Sequence, residues 1–178
     1  KMLANLKTRY IKLKEKTESQ KKSGKSKKIG IKKEDMQAVI VGKTNSGKSS
    51  LLKILTNMEP EIADYEFTTK VPNVGMTKIS GTQVQLIENP AIESEFYNRG
   101  ITNSTDTILI LINSLKEIDE IIPLLERSIA KKIIVFNKSD KLTENEKRKV
   151  EATLKSKKYN FVIISTKTKE NIEELKEK

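Results

Sequence analysis

The sequence predicts an α/β domain, a mostly parallel six-stranded sheet with helices on both faces, preceded by a basic helical arm. Two observations predict this domain. From residue 36 onward, short apolar runs alternate with segments of helical periodicity, which is typical of a parallel sheet whose strands are buried on both faces. A glycine-rich segment also joins the first apolar run to the first helical segment. We therefore place the arm and its linker at residues 1–35 and the domain at residues 36–178.

The elements of the domain follow from its apolar runs and its helical periodicity. Parallel strands are predicted at residues 37–41, 83–87, 107–112, 132–136 and 161–164. Residues 70–79 are predicted to form one more strand, the antiparallel edge strand of a hairpin that turns near Ser80 and Gly81. Helices are predicted at residues 47–57, 117–129, 143–155 and 169–177, and Thr143 with Glu146 has the spacing of a capping box.

Composition excludes several kinds of site. The chain has no Cys, which rules out disulfides and thiolate metal sites. It has no His, which removes the commonest general base and the commonest zinc ligand. No apolar run reaches the length of a bilayer-spanning helix, and the start lacks a secretory apolar region. We therefore expect a cytoplasmic protein.

The net charge of +11 is concentrated at one end of the chain. The first 33 residues, from Lys1 to Lys33, contain 13 of the 35 Lys and Arg residues and two of the 24 acidic residues, so the remainder is balanced. Four apolar residues between positions 3 and 13 recur at helical spacing and share one face. We expect this arm to bind the ribosome, rRNA or another polyanion. The alternative is a solvated helix whose apolar face serves only packing.

The strongest motif is G-x-x-x-x-G-K-S at residues 42–49, which lies between a predicted strand and a predicted helix, as this phosphate-binding loop requires. Its glycines let the main chain wrap around phosphates, and its N–H groups and the helix N-terminus favour an anion. Lys48 is expected to reach the β- and γ-phosphates, and the Ser49 hydroxyl to ligate Mg²⁺. The residues expected to hold the nucleotide here are Gly42, Thr44, Asn45, Ser46, Gly47, Lys48, Ser49 and Ser50.

Two later segments are expected to hold a guanine base. The first, N-K-S-D at residues 137–140, directly follows a predicted strand. Its carboxylate, Asp140, can accept hydrogen bonds from the N1–H and the exocyclic amine of guanine, whereas adenine offers the wrong pattern. The second, S-T-K at residues 165–167, follows the last strand, where a main-chain N–H can donate to guanine O6. The predicted base-site residues are Asn137, Lys138, Asp140, Ser165, Thr166 and Lys167.

With these motifs in this order, the chain resembles the translation-factor-related small GTPases, and within them the Obg/DRG group. Y-E-F-T-T at residues 65–69, followed by V-P-N-V-G at residues 71–75, is similar to that group's switch I and the strand after it. The Lys-rich arm and its linker are similar to the N-terminal region of DRG proteins, which usually continue into a TGS domain, whereas residues 36–178 are expected to form the G domain alone. The resemblance implies a P-loop NTPase fold of the Ras-like G-domain type, with GTP, GDP and Mg²⁺ bound, and GTP hydrolysis coupled to ribosome or RNA binding.

The resemblance also implies roles for single residues. Thr69 is expected to be the switch I ligand of Mg²⁺ and of the γ-phosphate, with Thr68 as the alternative. Asn45 matches an Asn that coordinates K⁺ in related GTPases, and stabilisation of the loop turn is the equal alternative. Glu88 and Ala91 stand where the family's switch II, D-x-P-G, has its Asp and its Gly, so Glu88 is expected near Mg²⁺. The expected catalytic set is Lys48, Thr69, Asn45 and Ala91.

Switch II departs from the family's pattern in ways that leave the rate of hydrolysis open. Ile92 follows Ala91 where a Gln would orient water, and the chain has no His to replace it. Glu93 and Glu95 are expected at a solvated helix start. The glycine-rich insertion of DRG proteins is missing, and Arg99 in its place is either a surface residue or an arginine finger. The protein is therefore expected to be a slow GTPase switch, or else a GTP-gated binding module with little hydrolysis.

Overall fold

A computed structural model describes residues 36–56 and 72–178 of the chain. The strands are β1 (Met36–Gly42), β2 (Asn73–Ile79), β3 (Thr82–Glu88), β4 (Thr107–Ile112), β5 (Lys131–Phe136) and β6 (Phe161–Ile163). The helices are α1 (Lys48–Thr56), α2 (Arg99–Ser104), α3 (Lys116–Ile121), α4 (Glu144–Ser156) and α5 (Ile172–Glu177), with 3₁₀ turns at Ile122–Leu125 and Ser139–Lys141. The predicted arm and the switch I threonines, Thr68 and Thr69, lie outside the described residues.

The six strands form one sheet in the order β2-β3-β1-β4-β5-β6. Only the β2–β3 pair is antiparallel among these strands, and the other four pairs are parallel. The hairpin closes through Ser80 and Gly81, whose φ angles of 48° and 86° are those of a two-residue turn that matches strand twist. The predicted fold class and the predicted edge strand are therefore confirmed, with β2 starting at Asn73 in the described part of the chain.

The apolar core lies on both faces of the sheet. Leu109 and Leu111 of β4 belong to a buried cluster that also contains Leu51 of α1 and Leu175 of α5. The intervening residues of β4, such as Ile110, point to the opposite face and are also fully buried. Helices α3 and α4 bury their apolar residues outside this cluster. Cover on both faces explains why the central strands are apolar runs rather than alternating sequences.

Two predicted helices have different bounds in the structure. The helix predicted at residues 117–129 ends at Ile121 and continues only as a 3₁₀ turn, because Pro123 has no N–H to continue the α-helical ladder. The helix predicted at residues 169–177 starts at Ile172. Lys169 and Asn171 have left-handed φ angles of 61° and 57°, which a right-handed helix cannot include. Local periodicity does not reveal such main-chain reversals.

Capping explains two other helix starts. Thr143 and Glu146 form the predicted capping box at the start of α4, which confirms that prediction. The short helix α2 was not predicted, and it starts after Asn98, whose side chain accepts hydrogen bonds from the N–H groups of Gly100 and Ile101. The helix start expected near Glu93 and Glu95 is wrong, since both residues lie in turns that precede α2. Within the described ranges, no helix is long and apolar enough to cross a membrane.

The topology brings the predicted site segments to one edge of the sheet. Parallel strands β1, β3, β4, β5 and β6 have their carboxyl ends on the same side, and the segments at residues 42–49, 88–93, 137–140 and 165–167 follow four of them. In open α/β sheets this edge is where ligands bind. The fold therefore places these segments beside one another.

Candidate functional site

The loop between β1 and α1 requires its glycines for close approach. A Cβ on Gly42 would lie 2.4 Å from the carbonyl oxygen of Leu111, in neighbouring strand β4. Gly47 has a φ of +101°, and a Cβ there would lie 2.3 Å from Nδ2 of Asn137. The main chain of this loop is thus packed directly against the strands and loops beside it. An alanine at Gly42 or Gly47 would force one of these neighbours to move.

Asn137 and Lys138 hold this loop from the side of β5. Nδ2 of Asn137 donates to the carbonyl oxygen of Ser46 at 2.9 Å, and its Oδ1 accepts from the N–H of Thr166 at 3.0 Å. Nζ of Lys138 donates to the carbonyl oxygen of Asn45 at 2.7 Å. Asn137 is fully buried, so its amide links all three predicted segments in the interior. The structure therefore joins segments that are more than a hundred residues apart in the chain.

Asn45 of the glycine-rich loop accepts hydrogen bonds from two neighbouring side chains. Its φ is 59°, an uncommon conformation for a residue other than Gly, which Asn tolerates better than most. Its carbonyl oxygen accepts from Lys138 and, at 3.4 Å, from Nδ2 of Asn113. The residue itself is exposed. Asn113 was not predicted, and no sequence pattern marks it. Its Oδ1 and the Oγ of Ser46 are buried atoms without a hydrogen-bond partner in the described part of the chain.

Asp140 is held by the segment that follows β6. Its Oδ1 accepts from Oγ of Ser165 at 2.7 Å, and Ser165 is fully buried. This hydrogen bond, more than the positive charges of Lys167 and Lys141, lowers the pKa of the Asp140 carboxyl. At neutral pH the carboxylate is therefore ionised, with acceptor capacity that faces solvent. The structure brings Asp140 and the S-T-K segment together as expected, and leaves Lys167 exposed.

Lys48 occupies the inside of the glycine-rich loop. Its ammonium donates to the carbonyl oxygens of Lys43 at 2.9 Å and Gly42 at 3.3 Å, and the residue is buried. Burial lowers the pKa of this ammonium, and the negative charge of Glu88 opposes that shift. A buried cation whose hydrogen bonds in this structure go to main-chain carbonyls is well placed for an incoming anion.

Ser49 and Glu88 lie together beside Lys48. Oγ of Ser49 donates to Oε1 of Glu88 at 2.5 Å, and Nδ2 of Asn73 donates to Oε2 of Glu88 at 2.8 Å. Glu88 is 2% exposed, so its carboxylate is held firmly at the end of β3. A hydroxyl and a carboxylate are oxygen ligands that suit Mg²⁺, which keeps several waters and binds through few protein groups. The described residues contain no cluster of three or more His, Cys, Asp or Glu for a metal, so phosphate oxygens would have to complete such a site.

The segment after β3 contacts the glycine-rich loop. The N–H of Ile92 donates to the carbonyl oxygen of Gly42 at 3.2 Å, and the N–H of Thr44 donates to Oε1 of Glu93 at 2.7 Å. Ala91 is not among the described residues with a left-handed φ, so its main chain does not adopt the conformation that a glycine would permit. The bond from Thr44 makes Glu93 a contact of the glycine-rich loop, and the sequence did not predict this contact.

A second unpredicted residue, Asn89, organises the rest of this segment. It is fully buried, and its Nδ2 donates to the carbonyl oxygen of Asn98 and to Oγ1 of Thr102, both at 3.0 Å. Its Oδ1 accepts from the N–H of Asn98. These bonds tie the end of β3 to the start of α2, where Arg99 is exposed. The x of D-x-P-G carries no constraint in the motif, and so the sequence offered no signal for Asn89.

The remaining predicted residues are peripheral or lie outside the described residues. Ser50 is exposed in the first turn of α1, and Thr44 is an exposed residue of the loop itself. Thr166 lies close to the glycine-rich loop, since its Oγ1 is 3.6 Å from the position that a Cβ on Gly47 would take. Thr69, the predicted switch I ligand, cannot be placed against this site.

A loop that encloses a buried lysine, braced by an Asn–Lys pair and flanked by an anchored aspartate, defines the G-domain class of P-loop proteins. The chain belongs to the 50S ribosome-binding GTPase family, whose model matches residues 37–138, more than half of the chain. The matched range runs from β1 to Lys138 and so includes the phosphate loop and the start of the base-site segment.

Individual relatives agree with this family. The chain is 32% identical over 158 residues to the GTPase Obg of Pelagibacter ubique, covering 78% of this chain and 48% of that protein. It is 31% identical over 161 residues to the GTPase Obg of Aquifex aeolicus, covering 78% and 47%. The chain thus spans about half the length of the curated relatives it matches.

Solved structures show the same fold. Era in complex with MgGDPNP and a segment of 16S ribosomal RNA superposes with a TM-score of 0.65 at 24% identity, covering 79% of this chain and 54% of that one. The G domain of the T. maritima FeoB iron transporter superposes with a TM-score of 0.64 at 23% identity, covering 80% and 94%. At these identities the likeness concerns the fold alone.

Proposed function

We propose that this protein binds GTP and GDP with Mg²⁺ and hydrolyses GTP slowly as a molecular switch. The observation that carries the proposal is Asn137, whose buried amide bonds both the phosphate loop and the segment beside Asp140. One side chain thereby sets the distance between the phosphate end and the base end of a nucleotide site. The family match, which includes the phosphate loop and the start of the base-site segment, supports the same activity.

The proposed roles follow from the contacts. Lys48 binds the β- and γ-phosphates, since its buried ammonium lies within the loop. Ser49 ligates Mg²⁺ directly, and Glu88 binds a water of the ion, while its bond to Asn73 keeps the longer side chain in place. Thr69 supplies the switch I ligand, and the N–H of Ala91 donates to the γ-phosphate. These groups act by positioning and by stabilising charge, which is what phosphoryl transfer requires.

A GTP-gated binding module with little hydrolysis is the second candidate. It is favoured by the segment after β3, where Ile92 carries no polar group and the carboxylate of Glu93 is engaged with the N–H of Thr44. Ile92 therefore cannot orient a water, and one oxygen of Glu93 is already engaged in this structure. In this case the nucleotide would change the conformation of the segment without being cleaved.

Single-turnover GTP cleavage with Mg²⁺, measured in KCl and in NaCl, separates the two candidates. If Asn45 ligates K⁺, we expect cleavage in KCl to be at least about tenfold faster, because an additional cation stabilises charge that develops at the phosphates. Asn45→Ala should remove the difference between the salts. Asn145→Ala, an exposed Asn of α4, is the matched control and should keep it.

The outcomes of this experiment are distinct when bound nucleotide is quantified in the same samples. Cleavage at equal rates in both salts would leave the GTPase in place and assign Asn45 to stabilisation of the turn. Tight binding without cleavage in either salt would support the binding module. Absence of GTP binding would contradict both candidates.

We further propose that the basic arm brings the switch to ribosomal RNA. The excess positive charge of the chain is confined to the first 33 residues. The similar Era structure contains 16S ribosomal RNA, and the family is described as ribosome-binding. Placement within the DRG group is part of this proposal, and it rests on the arm and on residues 65–75. Potassium as an additional cofactor is proposed on Asn45 alone.

Deletion of residues 1–33 should weaken binding to a ribosomal RNA fragment. Phosphate contacts release counterions, so the affinity of the full chain should fall roughly 10³-fold or more between 50 and 200 mM salt if six or more phosphates are contacted. Filter binding of the full chain and of the deletion variant at both salt concentrations measures this. Equal affinity of the two proteins at low salt would contradict a role for the arm.

A further inference from the structure

Glu170 lies in the connection between β6 and α5, and its side chain contacts the base-site segment at residues 137–140. Its Oε2 accepts from Oγ of Ser139 at 2.7 Å, and its Oε1 accepts from Nζ of Lys147 at 3.2 Å. Its main-chain carbonyl accepts from the N–H of Ser165 at 3.3 Å. Glu170 therefore reaches both of the segments that were expected to hold guanine.

Ser139 is the residue directly before Asp140, and its surroundings leave its hydroxyl few partners. It is fully buried, and its N–H donates to the carbonyl oxygen of Ile164 at 3.1 Å. Its hydroxyl is bonded to Glu170. The preceding Lys138 has a left-handed φ of 62°, so the main chain reverses just before Ser139. A buried anchor at this point limits how far the next residue can move.

The two sides of Asp140 are thus held by different residues. Ser165 binds the carboxylate itself, and Glu170 binds the hydroxyl of the preceding residue. Lys169 and Asn171 flank Glu170 with left-handed φ angles, and an isolated antiparallel bridge joins Ser165 to Glu170. The connection is therefore shaped so that the carboxylate of Glu170 turns back toward the base-site segment.

From this arrangement we propose that Glu170 is a positioning residue for guanine recognition, acting through Ser139 on Asp140. The inference rests on the proposed function, in which Asp140 accepts from guanine. Hydrogen bonds from Ser139 and Lys147 lower the pKa of Glu170, so its carboxylate is an acceptor at neutral pH. The side chain of Glu170 is 39% exposed and that of Lys147 is 25% exposed, and ion pairs at such sites contribute little to stability. The bond to the buried hydroxyl of Ser139 is thus the contact of Glu170 on which the inference depends.

The test compares GTP with ITP, which lacks the exocyclic amine and so makes one hydrogen bond fewer to Asp140. Glu170→Ala should lower the ratio of GTP affinity to ITP affinity about fivefold, the effect of one weakened hydrogen bond. Glu170→Gln keeps an oxygen acceptor for Ser139 and should retain most of the ratio. Lys147→Ala, which removes the ion pair and leaves the contact with Ser139, is the matched control and should change the ratio little. A merely structural defect would lower both affinities together.

Two further measurements make the inference falsifiable. Ser139→Ala should lower the ratio as Glu170→Ala does, and the double variant should show no additional loss, because both changes break one bond. If Glu170→Ala fails to fold, Ser139→Ala carries the test. If Glu170→Ala and Ser139→Ala both kept the wild-type preference for GTP over ITP, the role of Glu170 would be overturned and the proposed base site would stand. No wild-type preference for GTP over ITP, together with no effect of Asp140→Asn, would overturn the proposed base site as well.

Discussion

Replacing Lys48 with alanine is expected to lower GTP affinity roughly 10²- to 10³-fold. The ammonium is buried and bonded to main-chain carbonyls of the loop around it. Removing one member of a buried charged pair costs about 3–5 kcal/mol, and each 1.4 kcal/mol is tenfold in affinity. Titration of a fluorescent GTP analogue into the purified variant measures the change.

Lys53→Ala is the matched control for this experiment. Lys53 belongs to the same helix as Lys48 but is exposed, so its removal should leave GTP affinity within about twofold. Circular dichroism of both variants tests whether the overall secondary structure is retained. GTP affinity of Lys48→Ala equal to that of the wild type would mean that the phosphates do not bind inside this loop.

Asp140→Asn is expected to lower GTP affinity roughly 100-fold and to raise affinity for xanthosine triphosphate. The ionised carboxylate offers acceptors to the N1–H and the amine of guanine, and the carboxamide replaces one acceptor by a donor. Xanthine carries a carbonyl where guanine carries the amine, so the new N–H groups have a partner. The bond from Ser165 can still be made to the remaining amide oxygen. Competition of both nucleotides against a labelled GDP analogue measures the change in preference from GTP toward xanthosine triphosphate.

Glu174→Gln is the matched control, since it makes the same acid-to-amide change at an exposed position of α5. It should change the affinity for neither nucleotide. If Asp140→Asn kept full GTP affinity and gained none for the xanthosine nucleotide, the base would bind elsewhere. The comparison is informative even when hydrolysis is slow, since it depends on binding alone.

Local sequence determined the parts of the fold that depend on periodicity and composition. The alternation of apolar runs with helical segments predicted the sheet, because strands buried on both faces require apolar residues throughout. The glycine-rich loop was found because its spacing and its place between strand and helix leave few alternatives. Pro123 was visible in the sequence as well, and it should have ended the helix predicted at residues 117–129.

The contacts that complete the site were decided by tertiary structure. Glu93 and Thr44 are 49 residues apart, and Glu170 and Ser139 are 31 residues apart, yet each pair is joined by a hydrogen bond of 2.7 Å. Such contacts depend on the conformation of two loops at once. The left-handed main chain at Lys138 sets one of these loop conformations, and nothing in the sequence predicts a left-handed φ at a Lys.

The sequence by itself therefore determined the class of protein, the order of its strands and of four of its five described helices, and the positions of the three segments expected to bind nucleotide. Periodicity and motif spacing are local properties, and they persist in whatever fold the chain adopts. Only the tertiary structure decided which side chains brace those segments, as Asn89 and Glu170 do. The physical reason is that a hydrogen bond requires two groups within about 3 Å, and loop geometry, which no local pattern encodes, fixes that distance.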